Sequence, residues 1–223
     1  MTSTATPPRS EWESMTIAAF DKAAPVIAEI EQRNPLFVDD RLWSLWQKMR
    51  DNPRVLDIGC GYGRFIPLLE ALGGGRYVGI DASESMIALA RKQHPTHDFR
   101  VGNVLSLRDA VGEDRFDGFI AITTLMHLLP EHFSLAVANI RGVMERGGIG
   151  LVSVPCSHLR NEELLLDARN LDTKGGRVPE GCLMLRVHWN PQVLVESFTS
   201  GGFELIGEPE DVGSMLVMGV QAI

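Results

Sequence analysis

Three glycines, Gly59, Gly61 and Gly63, stand two residues apart in the stretch RVLDIGCGYGRF, with Asp57 just ahead of them. A backbone free of Cβ atoms can turn sharply and approach a bound molecule closely. A dinucleotide cradle spaces its glycines GxGxxG, so that a pyrophosphate rests on the following helix N-terminus. The GxGxG spacing here does not match that template. Histidines offer proton exchange near neutral pH. His127 in LMHLLP, His158 in PCSH and His188 in LRVHWN are chemically suitable bases, whereas His94, His97 and His132 read as surface positions. The three cysteines, Cys60, Cys156 and Cys182, form no CxxC pair. That predicts neither a zinc site nor a disulfide frame, and it suits a reducing cytoplasm.

Something must position these groups, and the rhythm of the chain says what. From Val55 onward the short apolar runs RVLDI, RYVGID, DFRVG, FDGFIAIT and GIGLVSV alternate with helical stretches. Those stretches are FIPLLEAL, SESMIALARKQ, a short segment near VLSLRDAV, and EHFSLAVANIRGVME. Runs apolar on both faces belong to a parallel sheet covered by helices on each side. The expected fold is therefore α/β and doubly wound. Ligands in such sheets sit beyond the carboxyl ends of the strands, at the first strand–helix turn, which is where the glycines fall. Upstream, EWESMTIAAFDKAAPVIAEIEQRN reads as a helix interrupted near Pro25. DDRLWSLWQKMR reads as another, with Leu42, Leu45, Trp46 and Met49 on one face. After Pro155 the sequence predicts an irregular stretch to about His188. A last helix, PQVLVESFTS, then leads to FELIGE and SMLVMGVQAI, two strands able to pair as an antiparallel edge.

Composition narrows the function. A chain of 223 residues is most simply one domain with a large core. The net charge of −8 argues against a nucleic-acid partner, whose phosphates need a basic face. No apolar run approaches the roughly 20 residues of a membrane-spanning helix. The polar start MTSTATPPRS lacks a basic segment followed by an apolar one, so no secretory signal is expected and its first ten residues are expected to be disordered.

VLDIGCGYGRF resembles motif I of the class I S-adenosylmethionine-dependent methyltransferases. YVGIDASESMIALAR is similar to their second-strand motif, FRVGNV to the third, FDGFIAITTLMHL to the fourth and RGVMERGGIGLVSVP to the fifth. HWNPQVLVESFTSGGFELI is similar to the helix and strand that finish many small-molecule members. The resemblance covers roughly residues 50 to 221, with five motifs in order. It implies a Rossmann-like seven-stranded sheet, mostly parallel with an antiparallel C-terminal edge strand and helices on both faces. It also implies S-adenosyl-L-methionine as co-substrate, and no metal. Residues 51–223 would form the methyltransferase domain, with a cap insertion at about 156–189, and residues 1–50 a helical lid.

Site residues carry over one by one. The resemblance assigns Gly59, Cys60, Gly61 and Gly63 to the loop against the cofactor. Asp81 would accept two hydrogen bonds from the ribose diol, with Ala82 beside it; a capping role falls to Ser83 instead. Met86 would pack on the nucleoside or face the sheet as core. Asn103 stands where the family usually has Asp, and its amide oxygen can accept the adenine amino group, while the Val104 N–H meets a ring nitrogen. Ala121 lies near the end of the fourth strand. Asp57 reads equally as a ligand for the cofactor's amino-acid part or as a stabiliser of the loop.

The acceptor is less legible. No N/D-P-P-Y follows the fourth strand, and the Pro-Cys pair at Cys156 follows the fifth strand, so neither the amino transfer of DNA and some protein methyltransferases nor the cytosine type is expected. A small organic acceptor, methylated on oxygen or nitrogen, is the expectation, with Trp12, Phe20, Phe37 and Trp189 as apolar walls. His127 and His188 are the candidate catalytic residues, His127 also reading as a pocket-lining position. The expected partner is the small-molecule acceptor, with no nucleic acid and no membrane; a homodimer stays open. Two other readings stand beside this one: a non-catalytic partner subunit that binds S-adenosylmethionine, and a nucleotide-dependent oxidoreductase, which the glycine spacing disfavours.

Overall fold

A computed structural model describes residues 7–32, 44–49, 51–171 and 178–223. Five parallel strands follow the apolar runs: β1 Arg54–Ile58, β2 Arg76–Asp81, β3 Asp98–Val101, β4 Phe116–Ile122 and β5 Met144–Pro155. Residues Val55 to Ile58 of β1 are all buried, as a strand covered on both faces requires. The sheet is completed by β8 Phe203–Val212 and β9 Met215–Ala222, in the order β3-β2-β1-β4-β5-β9-β8. The later strand, β9, lies inside, antiparallel to both β5 and β8, so β8 forms the edge.

Helices cover both faces. On one face α4 Leu107–Val111, α5 Pro130–Val143 and α6 Pro191–Ser200 contribute Leu107, Phe133, Ile140 and Phe198 to a core shared with Leu56, Phe119 and Val152. On the other, α2 Ile66–Ala71 and α3 Glu84–Gln93 place Ile66, Leu69 and Ile87 against Ile120, Leu151 and Val217.

Three expectations need correction. The first helix, α1 Trp12–Gln32, runs unbroken through Pro25. Proline there removes one N–H and crowds a carbonyl, at a cost of about 3 kcal/mol. The opposing term is burial: Ala19, Ala23, Ala24 and Ile27 sit in a third core cluster with Met86 and Met184, while Pro25 faces solvent. The stretch after Pro155 is not irregular throughout either. β6 Glu162–Asp167 and β7 Leu183–His188 pair antiparallel as a separate two-stranded sheet, with α1 packed against β7. Residues 7–10, expected to be disordered, are also placed: Arg9–Glu11 form a turn of 3-10 helix.

The helix expected over DDRLWSLWQKMR, with Leu42, Trp43 and the nearby Phe37, falls mostly outside the described residues. Within them, 44–46 are helical, Leu45 is buried, and Trp46 and Met49 pack on the α2–α3 face. Among the described residues no helix is long and apolar enough to cross a membrane.

Candidate active site

A cavity of about 960 Å³, counting its open mouth, lies beyond the carboxyl ends of β1, β2 and β4, with α1 across it. Its wall includes Gly59, Cys60, Gly61, Asp81, Ala82, Met86, Asn103, Val104 and His127 of the expected residues. The loop glycines are bare for two different reasons. A Cβ on Gly59 would fall 2.2 Å from Thr124 Oγ1, and one on Gly63 2.8 Å from His94 Cδ2, so both allow close packing. At Gly61, with φ of 54°, a Cβ would meet nothing within 4 Å. Gly61 faces open space.

Asp81 is tied from both sides. Its Oδ2 accepts the Gly61 N–H at 2.9 Å and its Oδ1 the Ser83 N–H at 2.9 Å. Each oxygen retains a lone pair, which leaves two acceptor sites for a diol. Burial pushes its carboxyl above the ordinary carboxylate range, against those two backbone bonds. Ser83 Oγ accepts the Met86 N–H at 3.1 Å and so caps α3. Asn103 Oδ1 accepts the Leu105 N–H at 2.9 Å, which commits one of its two lone pairs to a local turn.

Four expected residues are absent from the cavity wall. Asp57 is 1% exposed and its Oδ2 accepts the Tyr77 hydroxyl at 2.8 Å, so it braces β1 against β2 beneath the loop. Burial outweighs that bond and raises its carboxyl to about 7. Ala121 is fully buried in the core face of β4, and the wall is formed by Ile122, Thr123 and Thr124 beyond it. Gly63 belongs to the packing under the loop. His188 ends β7 opposite Glu162, where burial and then the Arg186 charge lower it.

Past β4 the chain is strained. Thr123 has φ of 56°, a left-handed conformation that a β-branched residue rarely holds. It is pinned by its N–H to Ser153 O at 2.9 Å and its hydroxyl to Ile122 O at 2.7 Å. His127 follows, and its Nδ1 donates to the Leu185 carbonyl at 2.6 Å, since a carbonyl can only accept. That leaves Nε2 as the ring's acceptor. Burial lowers the ring to about 4, so His127 is neutral at pH 7 and a weak base.

The helix α1 supplies what the sequence did not announce. Thr16 and Glu31 reach the cavity wall from it, beside the expected Phe20. Glu31 pairs at 3.6 Å with Arg64, the residue just after the glycine loop, and burial raises its carboxyl despite that cation. Arg64 stands within the quoted motif, so a charge next to the loop was a visible signal. Glu31 had none, because it depends on α1 folding over the sheet. Asp21 fastens this helix by accepting from Ser83 Oγ at 2.7 Å and the Ser85 N–H at 3.0 Å. Of the expected aromatic walls only Phe20 lines the cavity, 5.4 Å from the His127 ring centre. Trp189 is buried on Phe133 at 4.2 Å between ring centres, and Trp12 packs against the same core. Phe37 lies outside the described residues.

Residues 55–148 match the family model for a methyltransferase domain. The chain is 32% identical over 107 residues to a trans-aconitate 2-methyltransferase of Rhodopseudomonas palustris, covering 47% of this chain and 40% of the relative. It is 32% identical over 87 residues to the O-methyltransferase cnsE of Penicillium expansum, covering 37% and 31%. The match thus spans well under half the length of these curated relatives. Among solved structures, the Burkholderia thailandensis 1,6-didemethyltoxoflavin-N1-methyltransferase, with 1,6-didemethyltoxoflavin and S-adenosylhomocysteine bound, superposes with a TM-score of 0.73 at 18% identity. That alignment covers 99% of this chain and 93% of the other. The CcbJ methyltransferase of Streptomyces caelestis gives 0.68 at 20% identity, covering 92% and 97%. At such identities these structures establish the fold.

Proposed function

We propose, from the match of residues 55–148 to the methyltransferase-domain family model, that this protein transfers the methyl group of S-adenosyl-L-methionine to oxygen or nitrogen of a small organic acceptor. The observation that carries the reading is the cavity itself. It brings the open-space Gly61, the twice-anchored Asp81, Met86 and Asn103 to one wall at the strand ends.

The residues present fit the co-substrate. Asp81 takes the ribose diol, Met86 and Val104 flank the nucleoside, and Asn103 takes the adenine edge with its remaining lone pair. Arg64 and Glu31 form a cation–anion pair matched to a free amino acid's carboxylate and ammonium, the role left open for Asp57. When bound, the co-substrate supplies a methyl group on a sulfonium, whose carbon–sulfur bond breaks with its electrons passing to sulfur.

The protein's own work is positioning and drying. α1 covers the cavity, and Phe20 and His127 form its apolar and accepting edge. A ring that protonates near 4 is a poor general base toward an alcohol at neutral pH. The acceptor accordingly arrives with its lone pair free, as a carboxylate or as a neutral nitrogen whose proton later leaves to solvent. The similar proteins include an O-methyltransferase and an N1-methyltransferase. The purified chain is to be titrated with S-adenosylmethionine and S-adenosylhomocysteine by calorimetry, then assayed with labelled co-substrate against carboxylates, amines and alcohols. Micromolar binding, about −8 kcal/mol, and turnover of a carboxylate or amine are expected. Absence of binding by both molecules defeats the reading.

A further inference from the structure

Outside the cavity, three side chains of different chemistry converge on the rim of the sheet. Cys156 and His158 follow β5, and Asp211 lies near the end of β8. Cys156 Sγ, His158 Nε2 and an Asp211 carboxylate oxygen all lie within 4.8 Å of one another. Sγ is 3.7 Å from Asp211 Oδ1, and His158 Nε2 is 3.2 Å from Oδ2. Donors held at 2.0–2.3 Å around a tetrahedral zinc ion stand roughly 3.3–3.7 Å apart, so little movement separates this arrangement from a ligand set.

The frame beneath the three residues is regular. The Cys156 N–H donates to Ser214 O at 3.1 Å, and the Ser157 N–H to Trp189 O at 2.8 Å. Asp211 is paired with Leu216 of β9, and Met215 of the same hairpin with Pro155. Cys156 is held by an isolated bridge to Trp189, and His158 follows where the chain begins to bend. None of the three lines the methyl-transfer cavity. The Cys156 residue is only partly exposed. The His158 side chain is 68% exposed, which keeps one side of the group open to water.

We propose that Cys156, His158 and Asp211 bind one divalent cation of the zinc class, with water as its fourth ligand. Thiolate, imidazole and carboxylate together favour zinc over magnesium or calcium, which take oxygen donors. On binding, the Cys156 thiol loses its proton to solvent and the sulfur joins the metal. The ion ties the segment leaving β5 to the β8–β9 hairpin, and so acts on stability, apart from methyl transfer.

Cobalt(II) reports thiolate ligation in the full chain. Titration should give a near-ultraviolet sulfur-to-cobalt band and intense visible bands of four-coordinate geometry, saturating at one equivalent and reversed by zinc. The near-ultraviolet band should be lost in Cys156→Ser and kept in Cys182→Ser, whose thiol is buried elsewhere. His158→Ala and Asp211→Asn, both at exposed positions, should weaken cobalt binding roughly tenfold or more. Zinc should also raise the unfolding midpoint of the wild type and not of Cys156→Ser, by mass action. Absence of the band, its survival in Cys156→Ser, or an unchanged affinity in both exposed variants overturns the site.

Discussion

Gly61 and Asp57 sit four residues apart and answer to different physics. Gly61 has an open space where its Cβ would be, and a left-handed φ. Gly61→Val should therefore abolish S-adenosylhomocysteine binding while the circular dichroism spectrum stays close to wild type; calorimetry on the folded variant decides it. Asp57 is sealed under Tyr77 and raised by burial to about 7. In the unfolded chain it titrates near its ordinary value of about 3.9. Between those values the folded state holds a proton that the unfolded state has released, so stability is greatest at the acid end and falls as pH rises toward 7. Asp57→Asn keeps an oxygen for the Tyr77 hydroxyl and removes the titration. The variant should gain on the wild type by on the order of a few kcal/mol between about pH 4.5 and about pH 8. Urea midpoints of both proteins at the two pH values measure it, and a pH-independent difference would place the carboxyl in its ordinary range. Asp81 was legible as a wall residue because it closes β2 at the end of the sheet where ligands sit. Asp57 was ambiguous because the same residue type, one strand earlier, serves packing.

At the scale of elements, the parallel strands were legible because burial on both faces writes a continuous apolar run. β6 was not: its residues are exposed or half-buried throughout, and it pairs only with β7 in a sheet of two strands. The helix α1 was legible as a helix and expected as a lid, but its Glu31–Arg64 pairing was not legible, since that contact is a tertiary fact. Its buried alanine face also changes how its covering role is tested, because deletion would strip a core cluster. The cleaner variant is Asp21→Ala, which releases α1 from Ser83 and the Ser85 N–H at the start of α3. Loss of these bonds should cost roughly 1–3 kcal/mol locally. Faster hydrogen exchange in α1 and weaker S-adenosylhomocysteine binding are expected together; faster exchange with unchanged affinity would make α1 a structural element only.

For the molecule as a whole, the cavity joins α1, three strands and the loops between them, so a ligand there should stabilise every layer at once. At a concentration of S-adenosylhomocysteine a hundred times its dissociation constant, the gain is about 2.7 kcal/mol. For a chain of this size that corresponds to a rise of roughly 5–10 °C in the unfolding midpoint. Differential scanning calorimetry measures it directly. A midpoint unmoved by saturating ligand would mean that the cavity is not the place where it binds. Fold class and cofactor half were readable because both are written in local motifs. The acceptor side was not, because its wall comes from α1 and the residues past β4, where no short pattern carries the chemistry.

The placement of β9 inside the sheet has a consequence for how the chain is made. Ribosomal synthesis delivers β5 long before β9, yet β5 finds its outer neighbour only in Met215–Ala222. Until that segment emerges, β5 presents a long apolar edge of unpaired amides, and β8 has no sheet to join. Such an edge is a template for pairing with other chains. The nascent protein therefore passes through a stage in which all its motifs exist and its sheet is still open to neighbours, a stage on which chaperones act.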